Sequence, residues 1–383
     1  MKITGIEVFT IDFGVLVREG RVKKHPPGPQ KFLFVKLTTD EGITGYGETT
    51  EMPFRLSSSA ILLKELAETL VIGKSPHDME TGFRKVYGLG YRPGRPDRTL
   101  MGYWSAIDMA CWDIIGKAAG QPIYNLLGGK VHDSVRMYSY VFGNMSSKSA
   151  WEESLAKTVG MGFTALKFDP FVGCDAPRGV SMKELKHCDD VMTWTRDFVG
   201  DKLDILFGTH GQFTTAEAVR VAKVIEPYKP LWFEEPVPPD NPEGMAIVAR
   251  STCIPVAAGE RLVTKYEFQQ LFSRNAIGVA QLDLGRAGGM LEAKKIAGMA
   301  EACHILTAPH VFGGPIIAAA SIQLDVCCPN FLIQEGIEDW GGVHADMLLE
   351  PMKFEKGYLT PSGKPGLGVN LNEEYIKKLE SSD

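Results

Sequence analysis

From about residue 160 onward, short apolar runs alternate with stretches of helical period, and nearly every run ends abruptly in polar residues. Leu231-Trp232-Phe233 stops at Glu234-Glu235-Pro236, Ile254 to Gly259 at Glu260-Arg261, and Ile277 to Leu282 at Asp283. Ile305 to Pro309 stops at His310, and Phe331 to Gln334 at Glu335. Upstream, Thr164-Ala165-Leu166 leads to Lys167-Phe168-Asp169, and Leu203 to Phe207 to Gly208-Thr209-His210. Helical periodicity fills the gaps at Trp151–Val159, Lys183–Phe198, Thr215–Ile225 and Leu291–Ala302. The polar endings recur roughly every 25 residues, the length of one strand, one helix and two loops in a parallel α/β unit. A closed barrel gathers such endings in one mouth, whereas an open doubly wound sheet binds mainly at its switch point. The pattern therefore predicts a (β/α) barrel, with its first strand over Val135–Val141.

The first 50 residues alternate differently. Ile3, Ile6 and Val8, then Phe32 to Leu37, then Ile43 to Glu48 read as antiparallel strands, the last two joined by an Asp40-Glu41-Gly42 turn. Between the first two lies a basic, Pro/Gly-rich loop from Arg18 to Pro29, read either as a connector or as a lid that meets an anionic ligand. Residues 57–128 shift to helical period, with Trp104, Ile107, Ala110, Cys111 and Ile114 on one stripe, which is read as core with no cofactor role. After Trp340 the chain is polar and punctuated by Gly and Pro. The expected organisation is an α+β N-terminal capping lobe (1–128), a barrel (129–339) and a C-terminal segment (340–383) that returns to the lobe.

Composition narrows the function classes. The 383 residues carry a net charge of −6 without a basic block, which excludes nucleic acid as the natural partner. No run reaches the length of a membrane span, and an acid at Glu7 interrupts any secretory signal. Seven scattered cysteines without a Cys-x-x-Cys pair argue against a disulfide framework or structural zinc, so a reducing, cytoplasmic setting is expected.

The endings carry the chemistry. Glu234 and Glu260, read as the last inward residues of neighbouring strands, can face one point, and two adjacent carboxylates repel unless a proton or cation lies between them. Oxygen ligands of this kind suit a hard divalent ion; the alternative is that Glu234 pairs with a lysine or with Arg261. Asp283 and His310 end successive strands, so the carboxylate can hold the imidazole as a general base. Lys167 and Asp169 share a strand face, as do Gly208 and His210. Lys167 can bind a carboxylate or act as a base, and Glu335 faces the mouth from the last strand.

Taken together, Trp112-Asp113-Ile114-Ile115-Gly116-Lys117, Leu126 to Gly129, Glu234-Glu235-Pro236, Gly259-Glu260-Arg261, Asp283, Ala287-Gly288-Gly289, Ala308-Pro309-His310, Gly314-Pro315-Ile316 and Ile333-Gln334-Glu335 resemble the enolase superfamily. The branch is mandelate racemase-like, nearest the acid-sugar dehydratases of the galactonate dehydratase kind. The resemblance implies a (β/α)7β TIM-type barrel under a capping lobe, and Mg²⁺-assisted removal of the proton α to a carboxylate. Glu234 and Glu260 match metal ligands, His310 with Asp283 the base, Glu335 the group that steadies the enediolate, and His210 the acid that expels a β-hydroxyl. The product is then a 2-keto-3-deoxy sugar acid. Racemisation, epimerisation or cycloisomerisation through the same enediolate is the alternative, with Lys167 facing His310. One position departs: where the family carries its third metal carboxylate, two residues before the histidine, this chain has Gly208. Asp169 is the expected substitute, with His210 or water as other candidates. A small-molecule sugar acid as substrate and a homo-oligomeric assembly are also implied. Substrate discrimination is expected in Arg18–Gln30, in Tyr91-Arg92-Pro93-Gly94-Arg95 and in the stretch after Asp169.

Overall fold

The computed structural model describes residues 1–53, 55–88, 97–171 and 176–380; Tyr91 to Arg95 and the segment closely following Asp169 lie outside these. The chain opens with β1 (Ile3–Asp12), α1 (Phe13–Arg18), β2 (Lys31–Thr39) and β3 (Thr44–Thr49), and the strands form one antiparallel sheet in the order β1-β2-β3. The Asp12 carboxylate caps α1 by accepting from the Val15 N–H; this one-and-a-half-turn helix was not evident in the sequence. Three helices follow, α2 (Leu56–Leu70), α3 (Met79–Tyr87) and α4 (Arg98–Ala119). The stripe from Trp104 to Ile114 is buried against the sheet, as its helical spacing predicts. Arg21, in the basic loop, spends its guanidinium on the carbonyls of Lys378 and Glu380, and no described residue of 18–30 lines the main cavity. The connector reading suits the loop better than the lid.

After the short α5 (Ile123–Leu126), fifteen elements make the barrel. They are β4 (Val135–Tyr140), α6 (Lys148–Gly160), β5 (Ala165–Phe168), α7 (Met182–Val199), β6 (Asp204–Phe207), α8 (Thr215–Ile225), β7 (Trp232–Glu234), α9 (Pro242–Arg250), β8 (Val256–Ala258), α10 (Thr264–Phe272), β9 (Val279–Ala280), α11 (Gly289–Ala302), β10 (Leu306–Thr307), α12 (Pro315–Asp325) and β11 (Gln334–Gly336). Successive strands pair in parallel. β11 returns to β4, and Thr307 bridges to Asn330 and Leu332 at 2.8 Å each, which closes the ring. The result is the expected (β/α)7β order.

One residue from each strand or its flank fills the barrel interior: Tyr138, Ala165, Leu206, Trp232, Ala257, Val279, Ala308 and Ile333. Large and small side chains share the layer, as a closed ring of fixed diameter requires. Because side chains alternate with period 2, the positions two residues further on point into the same lumen one layer nearer the mouth. They are Tyr140, Lys167, Gly208, Glu234, Gly259, Gln281, His310 and Glu335. A charged layer thus rests directly on an apolar one.

The tail contains α13 (Val343–Asp346), β12 (Lys353–Glu355), β13 (Tyr358–Thr360) and α14 (Glu373–Leu379). It does not simply return to the lobe. A hairpin turning at Lys356 and Gly357, both with positive φ, pairs with the start of β4 on the barrel. The chain then reaches the lobe, where Leu367 N–H bonds Asp113, and Glu373 meets Lys36 and Tyr46. No helix among the described residues is long and apolar enough to cross a membrane.

Candidate active site

The lobe is fixed over the mouth by buried carboxylates. Glu48, on β3, accepts the N–H groups of Gly314, Ile316 and Ile317 at the start of α12. Asp108, on α4, does the same for Met290 and Leu291 at the start of α11. Each meets the unpaired donors and the positive end of a helix. Glu51 pairs at 3.0 Å with Arg286 of the barrel. Arg286 reaches on to Asp283 at 3.3 Å and the Glu260 carbonyl at 3.0 Å.

Beneath the lobe lies a cavity of about 770 Å³, into which Lys167, Asp169, His210, Glu260, Arg286, His310 and Glu335 project, with Tyr140, Phe142, Met145, Phe312 and Ile337 on its apolar side. His310 Nδ1 donates to Asp283 Oδ2 at 2.7 Å, which leaves Nε2 toward the cavity, 3.3 Å from Glu260 and 3.7 Å from Glu335. Burial alone would lower the His310 pKa, but Glu260, Glu335 and Asp283 together raise it. Glu335 is steadied by the Val311 N–H at 3.0 Å.

Lys167 rises from β5 across the lumen and bonds Glu234 at 2.9 Å and Glu335 at 2.6 Å. The pairing of Glu234 with a lysine, the alternative left open by the sequence, is therefore present. Burial opposes the charge on Lys167, but the two carboxylates outweigh it and hold the amine protonated. The other Glu234 oxygen accepts from Trp232 Nε1 and Gln281 Nε2.

Glu260 needs a correction. The inward position of its strand is Gly259, and Glu260 reaches the mouth because the backbone turns there at φ 144°. A Cβ at Gly259 would lie 2.7 Å from the Phe268 ring and 3.0 Å from the Gln281 backbone, so only glycine fits. Burial would raise the Glu260 pKa, yet His310, Arg286 and Lys167 hold it at about 2.

Asp169 is also placed differently from expectation. Oδ2 accepts from His210 Nδ1 at 2.7 Å and Gln212 Nε2 at 3.0 Å, and Oδ1 accepts from Phe171 N–H at 2.7 Å. Its hydrogen bonds are spent on His210, Gln212 and the Phe171 backbone, and among the described residues it forms no metal cluster with Glu234 and Glu260. Burial tends to lower the His210 pKa, and the Asp169 contact raises it overall.

Among the described residues no three or more His, Cys, Asp or Glu side chains form a ready metal cluster. The charge balance nevertheless fits a cation. Glu235, held at φ 40° just beyond β7, is pushed well above the usual carboxylate range by burial and by Glu260 and Glu234. Its Oε2 lies 3.1 Å from Arg261 Nε but, among the described residues, receives no well-directed hydrogen bond. Glu234 and Glu260 fit a two-carboxylate site, completed by substrate and water oxygens; Lys167 would have to release one Glu234 oxygen.

Arg286, Gln281, Glu235 and Glu51 belong to this site and were missed as site residues. Gln281 was findable, two residues before Asp283 on the inward face. Arg286 and Glu51 carried no signal, since only the docking of lobe on barrel joins them.

A capped barrel with an Asp-anchored histidine, a buried ammonium and converging carboxylates at its C-terminal mouth is an arrangement for general acid–base chemistry. Two family descriptions match the chain: mandelate racemase/muconate lactonizing enzyme, N-terminal domain, over residues 6–128, and enolase C-terminal domain-like, over residues 150–375. The chain belongs to the mandelate racemase/muconate lactonizing enzyme family of the enolase superfamily. It is 33% identical to a D-gluconate/D-galactonate dehydratase of Picrophilus torridus, over 93% of this chain and 90% of the relative. Against a D-galactonate dehydratase of Pectobacterium atrosepticum it is 34% identical, over 91% of each. A solved protein from Labrenzia alexandrii superposes with TM-score 0.94 at 45% identity, over 100% of this chain and 98% of that one. The mandelate racemase/muconate lactonizing enzyme from Jannaschia sp. CCS1 gives 0.92 at 36%, over 100% and 98%.

Proposed function

We propose that the protein dehydrates a sugar acid, removing the proton α to the carboxylate and expelling the β-hydroxyl to give a 2-keto-3-deoxy acid. The observation that carries this reading is the placement of His310, anchored on Asp283, across the cavity from His210. His310 Nε2 takes the α-proton, and the C–H electron pair moves into an enediolate. Lys167 and Glu335, paired at 2.6 Å at the mouth, would face the carboxylate oxygens as these gain charge, with the ammonium supplying positive charge. Mg²⁺ held by Glu234 and Glu260 would supply further positive charge to those oxygens. The enediolate electrons then break the β C–O bond, and the leaving oxygen takes a proton from His210 and departs as water. The resulting enol becomes the ketone by gaining a proton at C3 and losing that of its hydroxyl.

Epimerisation is less well supported. With His310 as the base it needs a proton donor delivered to the opposite face of the α-carbon, and the Lys167 ammonium is engaged by Glu234 at 2.9 Å and Glu335 at 2.6 Å. The test is a panel of mono- and diacid sugars with Mg²⁺, read for 2-keto acid with semicarbazide. Keto product from one sugar, reduced by about 10²-fold or more in His310→Ala, is the expected outcome. α-Deuteration in D₂O without water loss on every sugar would instead move the reading to epimerisation.

A further inference from the structure

β6 and β10 stand four positions apart in an eight-stranded ring, with β7, β8 and β9 between them on one side, so His210 and His310 rise from opposite walls. Their carboxylate partners follow the same rule. Asp283 follows β9, the strand before that of His310, and Asp169 follows β5, the strand before that of His210. Both aspartates are buried, and both accept from their histidine's Nδ1 at 2.7 Å. We propose that Asp169 and His210 form a second acid–base dyad facing the first, in which Asp169 is a positioning residue that fixes His210 with Nε2 toward the leaving group. This rests on the dehydratase reading.

The surroundings of Asp169 serve that purpose. Phe171 N–H and Gln212 Nε2 fix the carboxylate plane from two directions, and Gln212 itself is tied to the Phe171 carbonyl at 3.1 Å. A carboxylate so held can only accept, so His210 Nδ1 must donate and Nε2 becomes the working nitrogen. When the β C–O bond breaks, its electron pair leaves on oxygen and takes the Nε2 proton. His210 ends neutral, with Nδ1–H still on Asp169. The oxygen therefore departs from the face opposite the one His310 deprotonates.

The test uses the full-length protein with Asp169→Asn and His210→Gln. An amide at 169 cannot accept from all three donors, so one of them, His210 included, loses its partner. In ¹⁵N spectra, native His210 should show Nδ1 protonated at neutral pH, and Asp169→Asn should lose that signature. With substrate in D₂O, both variants should lose elimination by about 10²-fold or more while exchange at the α-carbon stays within about threefold. Absence of the Nδ1-protonated form in the native protein overturns the dyad, whatever the reaction proves to be. Exchange and elimination falling together in His210→Gln, which is half-exposed and keeps the test open should Asp169→Asn not fold, also overturns it. If the ¹⁵N signature holds but no sugar acid yields a keto product, the dehydratase reading fails instead.

Discussion

Gly208 lies in the charged inward layer, and the Lys167 stem fills the space above it. A Cβ there would meet Lys167 Cγ and the Phe168 carbonyl at 3.3 Å, close enough to require a shift of a few tenths of an ångström. Lys167 thus occupies, with its positive charge, the side of the lumen from which a third carboxylate would approach. Gly208→Asp should displace the lysine stem and tighten Mg²⁺ binding by about tenfold or more, equivalent to about 1.4 kcal/mol. Calorimetric titration of the two proteins with Mg²⁺ checks this; equal affinities would mean that the Lys167 stem does not yield. Legibility at this scale was uneven. Endings such as His310 and Asp283 stand out because a polar residue after an apolar run is rare without cause. The partner of Asp169 did not, since a carboxylate two residues beyond a lysine suits a metal and an imidazole equally until the neighbouring strand is in place.

The junctions between elements depend on helix ends. Glu48 and Asp108 place carboxylates against the N-termini of α12 and α11, although each belongs to a different part of the chain. Asp108→Ala removes the acceptor for two buried N–H groups and should cost about 1–2 kcal/mol in urea unfolding. Burial, opposed by the backbone donors, pushes Glu48 up to about 8. A carboxyl raised in the folded state contributes stability that is complete below its unfolded value and is lost as pH rises through the folded one. The melting temperature should therefore fall between about pH 5 and about pH 9, and fall less in Glu48→Gln. Equal declines in thermal melts of the two proteins would exclude Glu48 as a source. The barrel helices α6, α7, α8 and α11 were legible within about three residues of their ends because their apolar stripes repeat at 3.6, whereas α9, α10 and α12 were not read. The tail hairpin was not read, since three-residue strands leave too little alternation to register.

At the scale of the whole molecule, lobe and barrel share one charged seam. Glu51 accepts from Arg98 in the lobe and from Arg286 in the barrel, and Arg286 leans on Asp283, which orients His310. Glu51→Ala should lower stability by about 1–3 kcal/mol and reduce kcat more than it raises KM. Urea unfolding and steady-state kinetics of the same preparation read both effects; native values in each would mean that the seam and the base are independent.

The sequence by itself determined the barrel, its strand order and most of its polar mouth. These follow from a period-2 and period-3.6 record written locally in residue after residue, and closure of the ring turns that record into inward layers. Which polar groups touch was decided only by the tertiary structure. Lys167 reaches Glu234 and Glu335 across the lumen, Asp169 turns to His210, and Glu51 meets Arg286 across the lobe seam. Each such contact joins residues far apart in the chain, and an ion pair or hydrogen bond of about 3 Å leaves no periodic trace in either partner's neighbourhood.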